Sequence, residues 1–290
     1  MDKLRYKYCP INLRKKLILP NNAKIAVWVG INIEYFDINL VEFGGIQSFK
    51  VEPPNVFDYS VRDYGNRIGI WRVSEILQKY GVKASVLLNS DVCDHYPEII
   101  EHGKKLEWEF LGHGNSNSVL LNGLSEQQEK KIIRSCVDTI TESTGQQPRG
   151  WLSPALQETF ATLDLLSEEG ISYVCDWCCD DQPFNMKVEN GKMISIPYSV
   201  EINDYKLFLI QNFSPEDYFQ ILKENFDTLY KEGSINPRVM CIGLHPFIIG
   251  QPFRIKEFDR ILKYIENHDD VWLTTSGDIA NWFEQENNKR

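Results

Sequence analysis

Short, nearly continuous apolar runs recur from one end of this chain to the other, with amphipathic segments of helical period between them. The runs are KIAVWVGINIE (24–34), KASVLLNS (83–90), WEFLGHG (108–114), PRGWLSP (148–154), SYVCDW (172–177), MISIPYS (193–199), MCIGLHP (240–246) and VWLTTSG (271–277). Runs of this length without polar alternation read as strands buried on both faces, as in a parallel sheet. In SEQQEKKIIRSCVDTITESTG, Ser125 and Gln128 form a capping box. Ile132, Ile133, Cys136, Val137 and Ile140 make one apolar stripe, and Gly145 closes the helix. Ser214 and Pro215 open a second long helix that Gly233 ends, and further helices fit 67–80, 96–105, 159–169, 255–267 and 277–285.

Strands that alternate with helices end to end place the helices outside a parallel sheet. Seven or eight such units predict an α/β fold, a closed or nearly closed (β/α) barrel. The competing arrangement, an open doubly wound sheet, lacks its usual dinucleotide signature, because no GxGxxG follows the first strand. At 290 residues the chain fits one large barrel domain. An N-terminal arm (about 1–22) precedes the barrel, and a long irregular segment (about 36–66), rich in Gly, Pro and aromatics, is expected to cover a site or mediate assembly.

The formal charge of −10 opposes a nucleic-acid partner, which needs clustered Lys and Arg. The one basic cluster, Arg14-Lys15-Lys16, reads as a solvated arm. No apolar stretch has the length of a signal-peptide core or a membrane span, so a soluble cytoplasmic protein is expected. Seven cysteines without a regular framework fit a reducing compartment. The CxxC spacing of Cys175 and Cys178 has no second pair at zinc-ribbon distance and reads as buried free thiols.

In a β/α barrel, chemistry gathers where the loops converge beyond the C-terminal ends of the strands. Those ends carry Asn32-Ile33-Glu34, His113 followed by Asn117, Trp151-Leu152-Ser153, Asp176 with Asp180-Asp181 beyond it, and His245. Buried strands seldom carry ionisable residues without a partner, so the convergence of these groups marks a candidate site. The other histidines, His95, His102 and His268, fall on helices or turns and read as solvated. There is no GxSxG, and no cysteine opens a helix that would activate it.

The stretches DYGNRIGIWR (63–72), EFLGHGNSNS (109–118), PRGWLSP (148–154), YVCDWCCDDQPF (173–184) and LHPFIIGQPFR (244–254), in this order, resemble the polysaccharide deacetylases with the NodB homology domain. Within them the resemblance is to the branch that also contains metal-independent allantoinases and related amide hydrolases. It implies a distorted (β/α) barrel, often a homotetramer. Family deacetylases hold one divalent metal, such as zinc, with an Asp and two His in an HxxxH pattern, and use another Asp as base and a late His as acid. By position the base falls on Asn32, the metal Asp on Glu34, the two metal histidines on His113 and Asn117, and the acid on His245.

Three of these five positions depart from the pattern, and the departures carry chemical weight. An amide cannot take a proton at neutral pH, so Asn32 cannot serve as a base, although it can orient a substrate amide. A neutral amide oxygen at Asn117 is a far poorer zinc ligand than imidazole, and catalytic zinc needs three good protein ligands. If a metal binds at all, its ligands are Glu34, His113 and Asn117, and no cofactor is firmly expected.

The leading reading is hydrolysis of a non-peptide amide C–N bond in a small linear or cyclic amide, metal-independent or weakly metal-assisted. Glu34 backed by His113 activates water, His245 protonates the leaving nitrogen, and backbone N–H groups or Asn117 hold the oxyanion. Arg67, Trp71, Trp151 and Asp181 shape the pocket, together with Ser153. A zinc-dependent N-acetyl-sugar deacetylase and a catalytically silent small-molecule or carbohydrate-binding barrel are the alternatives.

Overall fold

The computed structural model describes residues 4–40, 46 and 52–288. In chain order the elements are β1 (Ile25–Ile33), α1 (Val56–Tyr64), a π-helical turn (Gly65–Gly69), α2 (Ile70–Lys79), β2 (Ala84–Leu88), α3 (Asp91–His95), α4 (Pro97–Lys105), β3 (Glu109–Gly112), α5 (Glu126–Thr144) and β4 (Gly150–Trp151). There follow α6 (Thr162–Glu168), β5 (Tyr173–Val174), β6 (Phe184–Met186), β7 (Met193–Ser195), α7 (Pro215–Gly233), β8 (Arg238–Leu244), α8 (Pro246–Ile249), α9 (Ile255–Glu266), β9 (Val271–Thr274) and α10 (Ser276–Asn288). None of the described helices is long and apolar enough to cross a membrane.

The strands form one curled sheet in the order β6-β7-β5-β4-β3-β2-β1-β8, all neighbours parallel except the β6–β7 pair. β1, the last strand but one in this order, has three neighbours. On β1, Ile25–Trp28 pair with β9, Val29–Ile33 pair with β2, and residues 25–31 pair with β8. The sheet is thus the mixed α/β, distorted barrel, and it stops short of full closure. Its two ends meet through Val239 N–H donating to the Asp181 carbonyl and Cys241 N–H donating to the Ser199 hydroxyl, not through a ladder.

Side-chain parity along the strands divides the apolar core in two. Val27, Val29, Val86, Leu88, Phe110, Met240 and Ile242 face the helices, whereas Ala26, Trp28, Leu87, Leu111, Val239 and Cys241 fill the barrel interior. Because successive strand residues point to opposite faces, the interior row of β1 continues upward through Gly30 and Asn32 to Glu34. The same parity carries β3 to His113 and β8 to Gly243 and His245. A packed floor and a polar rim follow from one alternation.

Several details differ from the sequence expectation. The strands at 148–154 and 172–177 shrink to two residues each, since Pro154 cannot donate to a ladder and the chain turns after Val174. The antiparallel strand at 184–186 was not foreseen. The 36–66 segment is not irregular throughout: Asn55 caps α1 by accepting the Asp58 N–H, and only residues 41–45 and 47–51 of it lie outside the described residues. The arm is docked, not solvated. Arg14 pairs with Asp180 at 2.5 Å, Arg5 with Asp164 at 2.5 Å, and Leu17 and Leu19 are buried. Cys175 is buried as expected, but Cys178 is exposed.

The π-helical turn meets the His245 loop so closely that a Cβ on Gly69 would collide with the Pro246 carbonyl. Only glycine permits that approach. It fixes α8, and so His245, against the turn that leads into α2.

Candidate active site

Glu34, His113, Asn117, Asn32 and His245 meet at the C-terminal end of the sheet and line one cavity of about 230 Å³. Glu34 Oε1 lies 3.7 Å from His113 Nε2 and 3.6 Å from His245 Nε2, and it accepts Asn117 Nδ2 at 2.5 Å. The carboxylate side chain is 8% exposed, so its charge is set by these neighbours. Burial pushes Glu34 up, but His245, His113 and Arg62 outweigh it and hold the carboxyl below its ordinary value. Glu34 is therefore ionised at neutral pH.

His245 has a partner that the sequence reading missed. Asp204, fully buried in the 203–210 segment, accepts His245 Nδ1–H at 2.7 Å and the His245 backbone N–H at 2.8 Å. Burial pulls His245 down, but Asp204 and then Glu34 outweigh it, and the net shift is upward. An Asp–His pair of this kind fixes the ring and favours the imidazolium, with Nε2–H aimed at the cavity.

His113 is oriented differently. Its Nδ1 lies 2.5 Å from the Leu152 carbonyl, which can only accept, so Nδ1 carries a hydrogen. Its Nε2, turned toward Glu34, is buried without a hydrogen-bond partner in the protein.

The orientation of Asn117 follows from a chain of locked amides. The Tyr35 backbone N–H donates to Asn89 Oδ1 at 2.9 Å, which turns Asn89 Nδ2 toward Asn117 Oδ1 at 3.0 Å. Asn117 must then present its N–H₂ to Glu34. Its oxygen is not available to a metal. Glu34 and His113 supply two donors, and among the described residues no group of three His, Cys, Asp or Glu side chains could hold a metal ion. The residues present do not fit a resident zinc of the family type.

The remaining predicted residues do not reach the cavity. Arg67 is exposed on the π-helical turn, and Trp71 packs edge-on against His102 in the outer layer. Trp151 has the outward parity of β4 and lies fully buried in the helix-facing core, so Leu152 takes the cavity position. Ser153 sits behind the site: its hydroxyl accepts Trp151 Nε1 at 3.0 Å, and its backbone N–H donates to Asp176 Oδ1 at 2.7 Å. Burial, set against that N–H, pushes Asp176 up to about 6. Asp181 lines a separate cavity of about 1010 Å³ under the N-terminal arm. His95, His102 and His268 are not simply solvated: His95 stacks on Tyr35, His102 bonds to Ser74, and His268 packs against Tyr264.

The cavity walls come from segments that carry no strand-end signal. Arg62 of α1 stacks over Phe36 at 3.9 Å, and both line the cavity with Tyr198, Asn203 and Tyr205. Leu120, Leu156 and Ile210 supply apolar surface. No periodicity in VEINDYK marked Asn203 or Asp204. Two polar residues between apolar ones were the only available hint.

The Polysaccharide deacetylase family matches residues 57–174. A probable polysaccharide deacetylase from Pseudomonas aeruginosa PAO1 is 27% identical to this chain with a TM-score of 0.88, covering 95% of this chain and 96% of that one. PuuE allantoinase is likewise 27% identical, with a TM-score of 0.85 over 92% of each chain. Among curated sequences, the peptidoglycan deacetylase of Helicobacter pylori is 23% identical over 300 residues, covering 92% of this chain and 99% of that protein.

Proposed function

Because the chain belongs to the polysaccharide deacetylase family, we propose that its site hydrolyses the C–N bond of a small non-peptide amide, with Glu34 as general base and His245 as general acid. The observation that carries this reading is the pair of Nε2 atoms at 3.7 and 3.6 Å from one Glu34 oxygen on the cavity floor. A lowered carboxylate beside a raised imidazole favours the ionised form of the base and the protonated form of the acid.

In this reaction Glu34 takes a proton from a water molecule as the water oxygen bonds to the amide carbon. The carbonyl electron pair moves onto oxygen. When that pair returns, the C–N bond breaks and His245 gives its Nε2 proton to the leaving nitrogen, so that an acid and an amine group result. Asn117, which the sequence reading offered as an oxyanion holder, instead fixes the Glu34 oxygen through its 2.5 Å hydrogen bond. His113 Nε2, which has no hydrogen-bond partner in the protein, faces the same Glu34 oxygen and is free to bond to the attacking water.

Drug-sized ligands occupy pockets of about 300–1,000 Å³. A cavity of about 230 Å³ favours a smaller molecule, and its apolar walls suit a compact or flat amide. The similarity to both a deacetylase and an allantoinase supports either an acetyl amide or a cyclic ureide.

The test is mass spectrometry of products after incubating wild-type and Glu34→Gln protein with N-acetyl sugars, linear amides and cyclic ureides. We expect one class to gain a water, either with ring opening or with release of acetate. Glu34→Gln should lose about 10²–10⁴-fold in rate. Wild-type protein inert toward every class, or Glu34→Gln at full rate, overturns the reading.

A further inference from the structure

Tyr198 stands beyond the end of β7 with its ring in the barrel-interior cluster and its side chain reaching the cavity. Its hydroxyl oxygen accepts Asn32 Nδ2 at 3.0 Å and Asn203 Nδ2 at 2.7 Å. Neither amide can be turned round. Asn32 Nδ2 also donates to the Leu244 carbonyl at 3.1 Å, which requires an N–H there, and Asn203 Oδ1 accepts the Tyr205 backbone N–H at 2.8 Å, which requires an oxygen there. A phenol oxygen that accepts two hydrogen bonds must direct its own proton elsewhere. Among the described residues no protein atom receives it.

The place of this proton is set by the same bonds. Asn32 lies two residues before Glu34 on the same face of β1, and Leu244 immediately precedes His245. The Tyr198 hydroxyl is therefore bracketed by the strand ends that carry base and acid. We propose that Tyr198 donates its hydroxyl hydrogen bond to the substrate carbonyl oxygen and holds it as it becomes an oxyanion, an inference that rests on the site being an amide hydrolase.

In this role Tyr198 keeps its proton throughout. As the water oxygen bonds to carbon, the carbonyl pair moves onto the oxygen facing Tyr198, and the hydrogen bond strengthens with the growing charge. Burial raises the Tyr198 hydroxyl well above its ordinary value, so it stays a donor across the working pH range. Two N–H bonds into the phenol oxygen polarise the O–H and make it a better donor. Asn32 acquires a function here. A carboxylate at that position would take the tyrosine proton for itself and remove it from the substrate, whereas an amide locked by Leu244 cannot.

The test uses intact wild-type protein and Tyr198→Phe, with two readouts. The first is turnover of whichever amide the product screen identifies. We expect kcat to fall about 10²–10³-fold, the range for loss of one oxyanion donor, with KM changed less than about three-fold. The second is calorimetric binding of methylphosphonate, a tetrahedral anion, against acetamide, a planar amide. Tyr198→Phe should lose at least about ten-fold of the phosphonate affinity, while acetamide affinity stays within about three-fold. A merely structural tyrosine would move both probes together. Equal losses, no loss, or no methylphosphonate binding to wild type overturns the proposal. Selective loss of the phosphonate with a wild-type protein that turns over no amide would leave Tyr198 as an anion donor and sink the hydrolase reading. A wild-type protein that turns over normally, with Tyr198→Phe unchanged in kcat, sinks the Tyr198 role alone.

Discussion

The Asp204 carboxylate holds His245 at two points, Nδ1 at 2.7 Å and the backbone N–H at 2.8 Å, from a position with no exposure to solvent. One carboxylate thereby fixes the ring tautomer, the ring direction and the loop that carries the ring. A hydrogen-bonded aspartate of this kind stabilises the imidazolium without itself taking the proton.

Replacing that carboxylate should shift the pH profile in a defined direction. Burial lowers His245, while Asp204 and Glu34 raise it past its ordinary value. The acid form is the imidazolium, so turnover falls as pH rises through the His245 pKa. Asp204→Asn removes the largest raising influence and moves that alkaline limb to lower pH, with about a 10²-fold loss at neutral pH. The acid limb belongs to Glu34, whose pKa is lowered, and it should stay where it is. Linkage gives the same signs for stability: the His245 contribution is lost as pH rises through its raised pKa, and that of Glu34 is lost as pH falls through its lowered one. Profiles of kcat/KM against pH for both proteins decide the matter, and an unmoved alkaline limb would falsify the role given to Asp204.

Chelation provides an independent check on the donor set. Asn117 offers its N–H₂ to Glu34, and its oxygen is held by Asn89. With two good donors remaining, the site does not complete the three-ligand set that catalytic zinc needs. Turnover after exhaustive treatment with EDTA should stay within about two-fold of the untreated rate. Activity lost to EDTA and restored by stoichiometric zinc would show that the amide chain rearranges to free a third ligand.

The opposite end of the barrel is a matter of stability. Glu109, at the start of β3, accepts the Tyr173 hydroxyl at 2.6 Å, the Ser85 hydroxyl at 2.7 Å, and the Ser276 hydroxyl and Gly277 N–H at 3.1 Å each. A carboxylate at the first turn of α10 also suits the helix dipole. Glu109→Ala strands several of these groups, of which Tyr173, Ser85 and Ser276 are fully buried. The expected loss is about 2–4 kcal/mol, read as a lower urea midpoint at an unchanged m-value. The folded fraction should keep its kcat, because Glu109 lies at the N-terminal end of the sheet, away from Glu34.

What the sequence disclosed follows from parity and chain order. Glu34, His113 and His245 sit at the ends of long apolar runs whose interior faces are fixed by period two, so their convergence was legible before any coordinates. Trp151 was misread because β4 keeps only two residues and its parity sends the indole outward. Arg67 and Trp71 were misread because helix formation begins at Val56, which leaves Arg62, five residues upstream of Arg67, over the cavity. Asp204 and Tyr198 were invisible for a different reason. Both lie after β7, Tyr198 in a loop and Asp204 at the start of a short π-helical turn (Tyr205–Ile210), where the partner of a side chain is chosen by tertiary contact and not by local period.

Gly243 tests how tightly the segment after β7 is held. It pairs with Gly30 across the β1–β8 ladder, and a Cβ added to it would lie 2.8 Å from both the Tyr198 hydroxyl oxygen and Asn203 Nδ2. Alanine is tolerated by a strand backbone, so Gly243→Ala strains the side-chain network and leaves the ladder intact. Overpacking of this size costs about 1–3 kcal/mol, which a domain of ordinary stability survives at 25 °C. The catalytic consequence should be larger than the loss of folded protein, because the methyl group displaces the hydroxyl aimed at the substrate oxygen. We expect kcat to fall at least about ten-fold in a sample whose circular dichroism and melting show it to be folded. A loss of activity that matches the unfolded fraction would mean that Gly243 serves packing alone, and that the position of the Tyr198 hydroxyl does not govern the rate.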